Sequence, residues 1–263
     1  MMLRVFVKYA AFARLARRLS LSSRAELYGR MLFLGLILAI FTALWRAIGE
    51  AGMPIRTEPA RLVWYLAITE WIVLSTPLVN MDIEQEIRRG DVAYRLPRPV
   101  SYVGSLLFEG LGQLSVRLPT LGVAAFGFAW ALTGSVPGGS ARVLWVVPLA
   151  AFASVVLTSL YVLVGLLTFW LGESTPVYWV CQKLLFVLGG LMLPLELYPP
   201  LVSRVAKFTP FPSLLYAPAS LVFDTGASAV AVATALAAWL AVLIALSAVL
   251  VRAARRRLSL SGG

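Results

Sequence analysis

The 263-residue chain contains no histidine and one cysteine, and only 13% of its residues carry charge. Each scarcity excludes something. Without histidine the commonest general base is missing, and so are most zinc sites. A single thiol, Cys181, rules out a disulfide within the chain. Soluble domains devote about a quarter of their residues to charge, so this chain has roughly half of what a water-exposed surface uses. No polar stretch is long enough to form a separate soluble core, and one membrane domain accounts for the chain. A phosphate loop of the form G-x-x-x-x-G-K-[ST] is absent. So is any internal repeat that would support an inverted-repeat carrier.

What the chain has is apolar residues, 60% of the total, in recurring runs. About 20 mostly apolar residues cross a hydrocarbon core. Six segments qualify: 28–48, 61–80, 102–132, 142–171, 176–194 and 228–251. The expected fold is therefore an all-α, polytopic membrane protein of six transmembrane helices, with residues 24–263 forming the membrane domain. Pro119 and Pro148 are candidate kinks in the third and fourth spans, tolerable where neighbouring helices satisfy the freed carbonyls. Residues 1–23 are too charged to span. Leu3, Phe6, Val7 and Ala10 recur at helical spacing among Arg4, Lys8, Arg14, Arg17 and Arg18, the pattern of an amphipathic interfacial helix. After the fifth run, an apolar stretch is interrupted by Pro194, Pro199, Pro200, Pro210, Pro212 and Pro218. It is too broken to span and too apolar for a free loop, so short helices re-entering the outer leaflet against the bundle are expected.

The net charge is +11, and the basic residues flank apolar runs instead of forming a patch. Anionic lipid, not nucleic acid, is the expected partner. Arg4, Lys8, Arg14, Arg17, Arg18, Arg24 and Arg30 precede the first span. Arg88, Arg89, Arg95 and Arg98 follow the second, and Arg252, Arg255, Arg256 and Arg257 follow the sixth. Only Arg46, Arg56, Arg61, Arg142, Arg204 and Lys207 fall on the other side. The asymmetry predicts cytoplasmic termini at both ends, in agreement with an even number of spans. Tryptophans such as Trp45, Trp64 and Trp145 are expected as interface anchors. The N-terminus does not read as a cleaved signal peptide, because its basic region is too long and Met31–Trp45 lacks a following small-residue cleavage site.

Two polar constellations stand out. In residues 82–98, Ile83, Ile87, Gly90 and Tyr94 fall on one helical stripe. Glu84 to Arg88 and Asp91 to Arg95 are acid-first i,i+4 pairs. Gly90 weakens the middle, and Pro97 and Pro99 end the element. Such a helix suits docking into a groove on another protein; it also reads as a solvated connector held by its own ion pairs. The second constellation is Glu70, Glu109, Arg117 and Lys183, ionisable residues inside spans, each costing about 2.5–3.5 kcal/mol at the bilayer centre. Glu109, Gln113 and Arg117, at i, i+4 and i+8, share a face. They form either a polar pathway or structural ion pairs, in which case Glu70 is expected to pair with Arg117 and Lys183 to snorkel.

Ile87-Arg88-Arg89-Gly90-Asp91-Val92-Ala93-Tyr94, continued by Leu96-Pro97-Arg98-Pro99, resembles the I-R-x-G-x-[IV]-x-x-x-L-x-R-P signature of type 2 ATP-binding-cassette exporter permeases. Pro97 departs from the usual pattern, which has a helix-compatible residue there. Gly190-Leu191-Met192-Leu193-Pro194-Leu195-Glu196-Leu197-Tyr198-Pro199, then Thr209-Pro210-Phe211 and Tyr216-Ala217-Pro218, is similar to that family's outer region after the fifth span. The resemblance covers essentially the whole chain and is closest to the six-span, viologen-exporter-like branch. It implies a permease that is not itself an enzyme, has no cofactor or metal of its own, and moves an amphiphile (drug, lipid or glycoconjugate) out of the cytoplasm across a bacterial inner membrane. ATP and Mg would belong to a separate cytoplasmic ABC ATPase, and a second permease, identical or related, would complete the assembly. The residues implied in coupling to the ATPase are Ile83, Glu84, Glu86, Ile87, Arg88, Arg89, Gly90, Asp91, Tyr94, Arg98, Pro99 and Glu173. Two competing classes are an autonomous channel or carrier and a membrane-embedded enzyme acting on lipid. The enzyme reading is weakened because the one acidic cluster, Asp82, Glu84, Glu86 and Asp91, is interleaved with arginines.

Overall fold

A computed structural model describes residues 2–51, 58–97, 100–136, 140–223 and 228–261, with backbone alone for 2–6, 140–144, 223 and 257–261. Among the described residues all regular structure is helical. In chain order the helices are α1 (Met2–Ser22), α2 (Arg24–Glu50), α3 (Pro59–Ser75), α4 (Val79–Arg89), α5 (Val92–Arg95), α6 (Tyr102–Thr133) and α7 (Ser140–Leu166). They continue as α8 (Thr168–Leu171), α9 (Thr175–Leu188), α10 (Pro200–Ala206), α11 (Phe211–Leu214), α12 (Tyr216–Ser220) and α13 (Ala229–Ser261). Single 3₁₀ turns occupy Leu195–Leu197 and Leu221–Phe223.

Five stretches are long and apolar enough to cross a membrane: Arg24–Glu50, Pro59–Arg89 taken through the Pro77 break, Tyr102–Thr133, Trp145–Leu171 and Ala229–Arg256. The expected fifth span, 176–194, is corrected in its helix, which is too short to cross by itself. α9 has 14 residues, about 21 Å of helix, short of a hydrocarbon core of about 30 Å. It stops where Gly190 adopts φ 67, a conformation glycine takes without a Cβ penalty. The Gly190 carbonyl accepts a hydrogen bond from Tyr65, and the Leu191 carbonyl accepts one from Thr69 at 2.7 Å. The chain leaving α9 is thus tied to α3 inside the bundle. Beyond it the proline-rich stretch forms short helices packed against the bundle: Leu195, Ala206, Phe211, Leu214 and Ala219 are buried, and α11 and α12 pack on α7 and α13.

The expected helix over 82–98 is also corrected. Pro77 lacks a donor and separates α3 from α4, which starts at Val79. Gly90 at φ 79 ends α4 as a left-handed C-terminal cap, leaving α5 as a separate single turn. Pro119 and Pro148, in contrast, lie inside α6 and α7, which continue through them.

α3 is the axis of the bundle. Leu62–Ile72 are buried without interruption, enclosed by α2, α6, α7 and α12. The anchors expected at Trp45 and Trp64 are buried instead, at 4% and 2% exposure. Trp64 Nε1 donates to the Ser135 carbonyl at 2.9 Å, so its polar edge finds a protein partner and has no need of the interface. Trp145 remains exposed.

α1 packs along α6. Gly104, Phe108 and Gly112 share one face of α6. A Cβ on Gly112 would lie 2.2 Å from the Ala13 carbonyl oxygen, so only glycine admits this approach. Tyr9 stacks on Phe108 with ring centroids 5.1 Å apart, and its hydroxyl accepts the Ser101 N–H at 2.8 Å. Of the expected apolar stripe on α1, Val7 is exposed and Ala10 half-buried; the residues buried on this helix are Ala16 and Ser20, outside that stripe. Arg255 near the end of α13 donates to the Leu96 carbonyl at 3.1 Å. The two terminal helices therefore meet α5 and the start of α6 at one arginine-rich end.

Candidate functional site at the arginine-rich end

α4 lies against α7 because Gly165 makes room for it. A Cβ there would meet Ile83 Cδ1 and Asn80 Cα, each at 2.9 Å. Ile83 is fully buried and Ile87 packs on the core, so these members of the predicted stripe seat the helix on its own bundle. Gln85, Arg88, Arg89, Gly90, Asp91 and Glu173 are exposed, and Tyr94 is 77% exposed. Arg98 and Pro99 lie outside the described residues.

Glu84 joins α4 to α9. Its Oε2 accepts from Ser174 N and Ser174 Oγ at 2.8 Å, and from Thr175 N and Thr175 Oγ1 at 3.1 Å. α9 begins at Thr175, so the carboxylate sits where helix N–H groups have no internal partner and where the helix dipole favours an anion. The expected Glu84–Arg88 pair is present but long, at 3.5 Å.

The expected Asp91–Arg95 pair does not form. Arg95 turns back to Glu86 at 2.8 Å, and to Glu109 at 2.6 Å and Ser105 at 3.1 Å on α6. Burial disfavours the cation, but Glu109 and then Glu86 outweigh it and hold Arg95 above the usual arginine pKa. The break at Gly90 allows this, since α5 need not continue the axis of α4.

Arg117 does not pair with Glu70. Its Nη2 reaches Glu26 at 2.8 Å, and Glu26 also holds Arg30 at 2.9 Å. Depth explains the difference. Arg30 donates to the Leu74 carbonyl, so Arg30 is level with the end of α3. Glu26 lies one turn further out and Glu70 one turn further in, about 12 Å apart along the bundle. Glu70 is 3% exposed, with no ion-pair partner among the described residues. Lys183 is on the outer face of α9, its ammonium 5.9 Å from the Trp179 ring centroid.

Glu109, Gln113 and Arg117 do share a face, and together with Glu26, Arg30 and Asp82 they line a cavity of about 650 Å³ between α1, α2, α4 and α6. In the sequence Arg30 reads only as flanking charge, and Glu26, Ser174 and Thr175 do not stand out. Glu26 and Arg30 carried a signal, an acid-first i,i+4 pair; Ser174 and Thr175 had none beyond their place before a helix. Among the described residues no group of three or more Cys, Asp or Glu is placed to hold a metal ion.

Residues 57–262 match a family model described as ABC-2 family transporter protein. No curated protein matches the chain.

Proposed function

The chain belongs to the ABC-2 family of transporter proteins, and on that footing we propose that it is the permease of an exporter energised by a separate cytoplasmic ATPase. The observation that carries the coupling is the Glu84 contact. One carboxylate on α4, a helix seated on the bundle by Ile83 and exposed along Gln85, Arg88 and Arg89, holds two backbone amides and two hydroxyls at the start of α9. The ATPase docks on the exposed side of this end, on Gln85, Arg88, Arg89 and Tyr94 with Glu173 beside them. Displacement of α4 then pulls α9 through Glu84, while Arg95 transmits to α6 through Glu109. The charge asymmetry supports a cytoplasmic arginine-rich end in a bacterial inner membrane. A second permease completes the pathway, and the substrate class is an amphiphile.

The test is untagged co-purification of an ABC ATPase from the native membrane, followed by ATPase and transport assays in proteoliposomes. Arg88→Glu with Arg89→Glu should release the ATPase. Glu84→Gln should retain it and lower transport per ATP hydrolysed. A permease that purifies alone and transports without ATP would overturn the reading.

A further inference from the structure

The cavity beneath α1 has an unusual charge arrangement. Arg117 is buried, its side chain 8% exposed, and only Nη2 is used; Nε and Nη1 are themselves buried and have no hydrogen-bond partner within the protein. Its counter-ion is shared, because the same Glu26 Oε1 serves Arg30 and Arg117. One carboxylate between two guanidiniums leaves one positive charge uncompensated. Across the cavity, the Asp82 carboxylate has no ion pair among the described residues. Each of the two lies within the other's field, yet they do not touch. Glu109, the remaining acid in the wall, is held by Arg95. Leu15 and Leu19 of α1, 59% and 63% exposed, form the apolar rim.

A simple anion in this space would face Asp82, and a simple cation would face two arginines. A zwitterion satisfies both walls. The volume, about 650 Å³, falls in the usual range of small-molecule sites, about 300–1,000 Å³. We propose that this cavity binds the headgroup of a zwitterionic aminophospholipid, its phosphate on Arg117, whose guanidinium turns to present its buried, unpartnered donors, and its primary ammonium on Asp82. The acyl chains leave past Leu15 and Leu19. A planar guanidinium with unused N–H groups suits phosphate oxygens. A primary ammonium donates to Asp82 in a way that a trimethylated one does not. The inference goes beyond the exporter reading, since binding needs no ATPase and is measured on the permease alone.

Native mass spectrometry of the purified chain, titrated with short-chain phosphatidylethanolamine, phosphatidylcholine and phosphatidylglycerol, tests it. Charge-assisted hydrogen bonds set the scale, so the ethanolamine lipid should bind about tenfold more tightly than either other lipid. Asp82→Asn, a change at an exposed position, should erase the preference of ethanolamine over choline. Arg117→Gln should weaken all three lipids. Equal affinities in the unmodified protein, or a preference that survives Asp82→Asn, would overturn the proposal. Glycerophosphoethanolamine without acyl chains should bind far more weakly; equal binding would remove the lipid from it. Leaflet exchange of a labelled ethanolamine lipid with the ATPase and ATP present separates its sources: movement marks a transported molecule, and retention marks a resident one.

Discussion

Glu26 and Glu84 each hold several donors, and exposure decides what losing each one costs. Glu26 is 42% exposed, whereas its partner Arg117 is 8% exposed. Glu26→Gln therefore strands a buried cation and should destabilise by about 2–3 kcal/mol, below the 3–5 of a fully buried pair because water reaches one side. Arg117→Gln leaves Glu26 on Arg30 and should cost less than about 1 kcal/mol. The double change should be milder than Glu26→Gln alone. Thermal unfolding of all four combinations in detergent checks this, and equal losses from the two single changes would dismiss the asymmetry. At Glu84, replacement by alanine removes the acceptor of two amides and two hydroxyls, a loss of about 2–3 kcal/mol. Arg88, 61% exposed and 3.5 Å away, should tolerate alanine within about 0.5 kcal/mol.

At the scale of elements, glycine governs how helices meet. The Ala13 carbonyl lies where a Gly112 Cβ would project, and neither backbone can give way cheaply. Gly112→Ala should lift α1 from α6, costing about 1–3 kcal/mol and raising protease cleavage within α1. Around Gly127, on the same helix, a Cβ would meet nothing within 4 Å, so Gly127→Ala should be neutral or stabilising by up to about 1 kcal/mol. If both changes leave cleavage of α1 unaltered, the close contact is not what holds it. Gly90 acts differently, ending α4 and freeing α5 to bring Arg95 under α6. With φ at +79, Gly90→Ala should cost about 1–2 kcal/mol.

For the whole molecule, the decisive question is which end faces the cytoplasm. Single cysteines in a Cys181→Ser background report it. Val5→Cys and Leu260→Cys should label only with reagents that enter the cell, while Val136→Cys and Arg204→Cys should label from outside. Labelling of both termini from outside would invert the orientation and detach the arginine-rich end from any cytoplasmic ATPase. The Arg255 contact with Leu96 and the Tyr9 contact with Ser101 tie the two terminal helices to one end, so positions 5 and 260 should label alike.

The membrane class, the helical content, the buried proline-rich stretch and the shared face of Glu109, Gln113 and Arg117 were legible in the sequence. Hydrophobic runs and helical periodicity are local properties, readable within one segment. Ion-pair partners were not legible in the same way. Arg117 chose Glu26, 91 positions away, because helix depth sets which charges are level, and depth depends on where each helix enters the bundle. The stripe Ile83 and Ile87 has one reading as a pattern and two possible neighbours, a partner protein or the chain's own α7; Gly165 decided for α7. The length of α9 likewise depended on Tyr65 and Thr69 capturing the carbonyls of Gly190 and Leu191. Apolar composition records only that a segment avoids water, whereas contacts between distant segments decide where it turns.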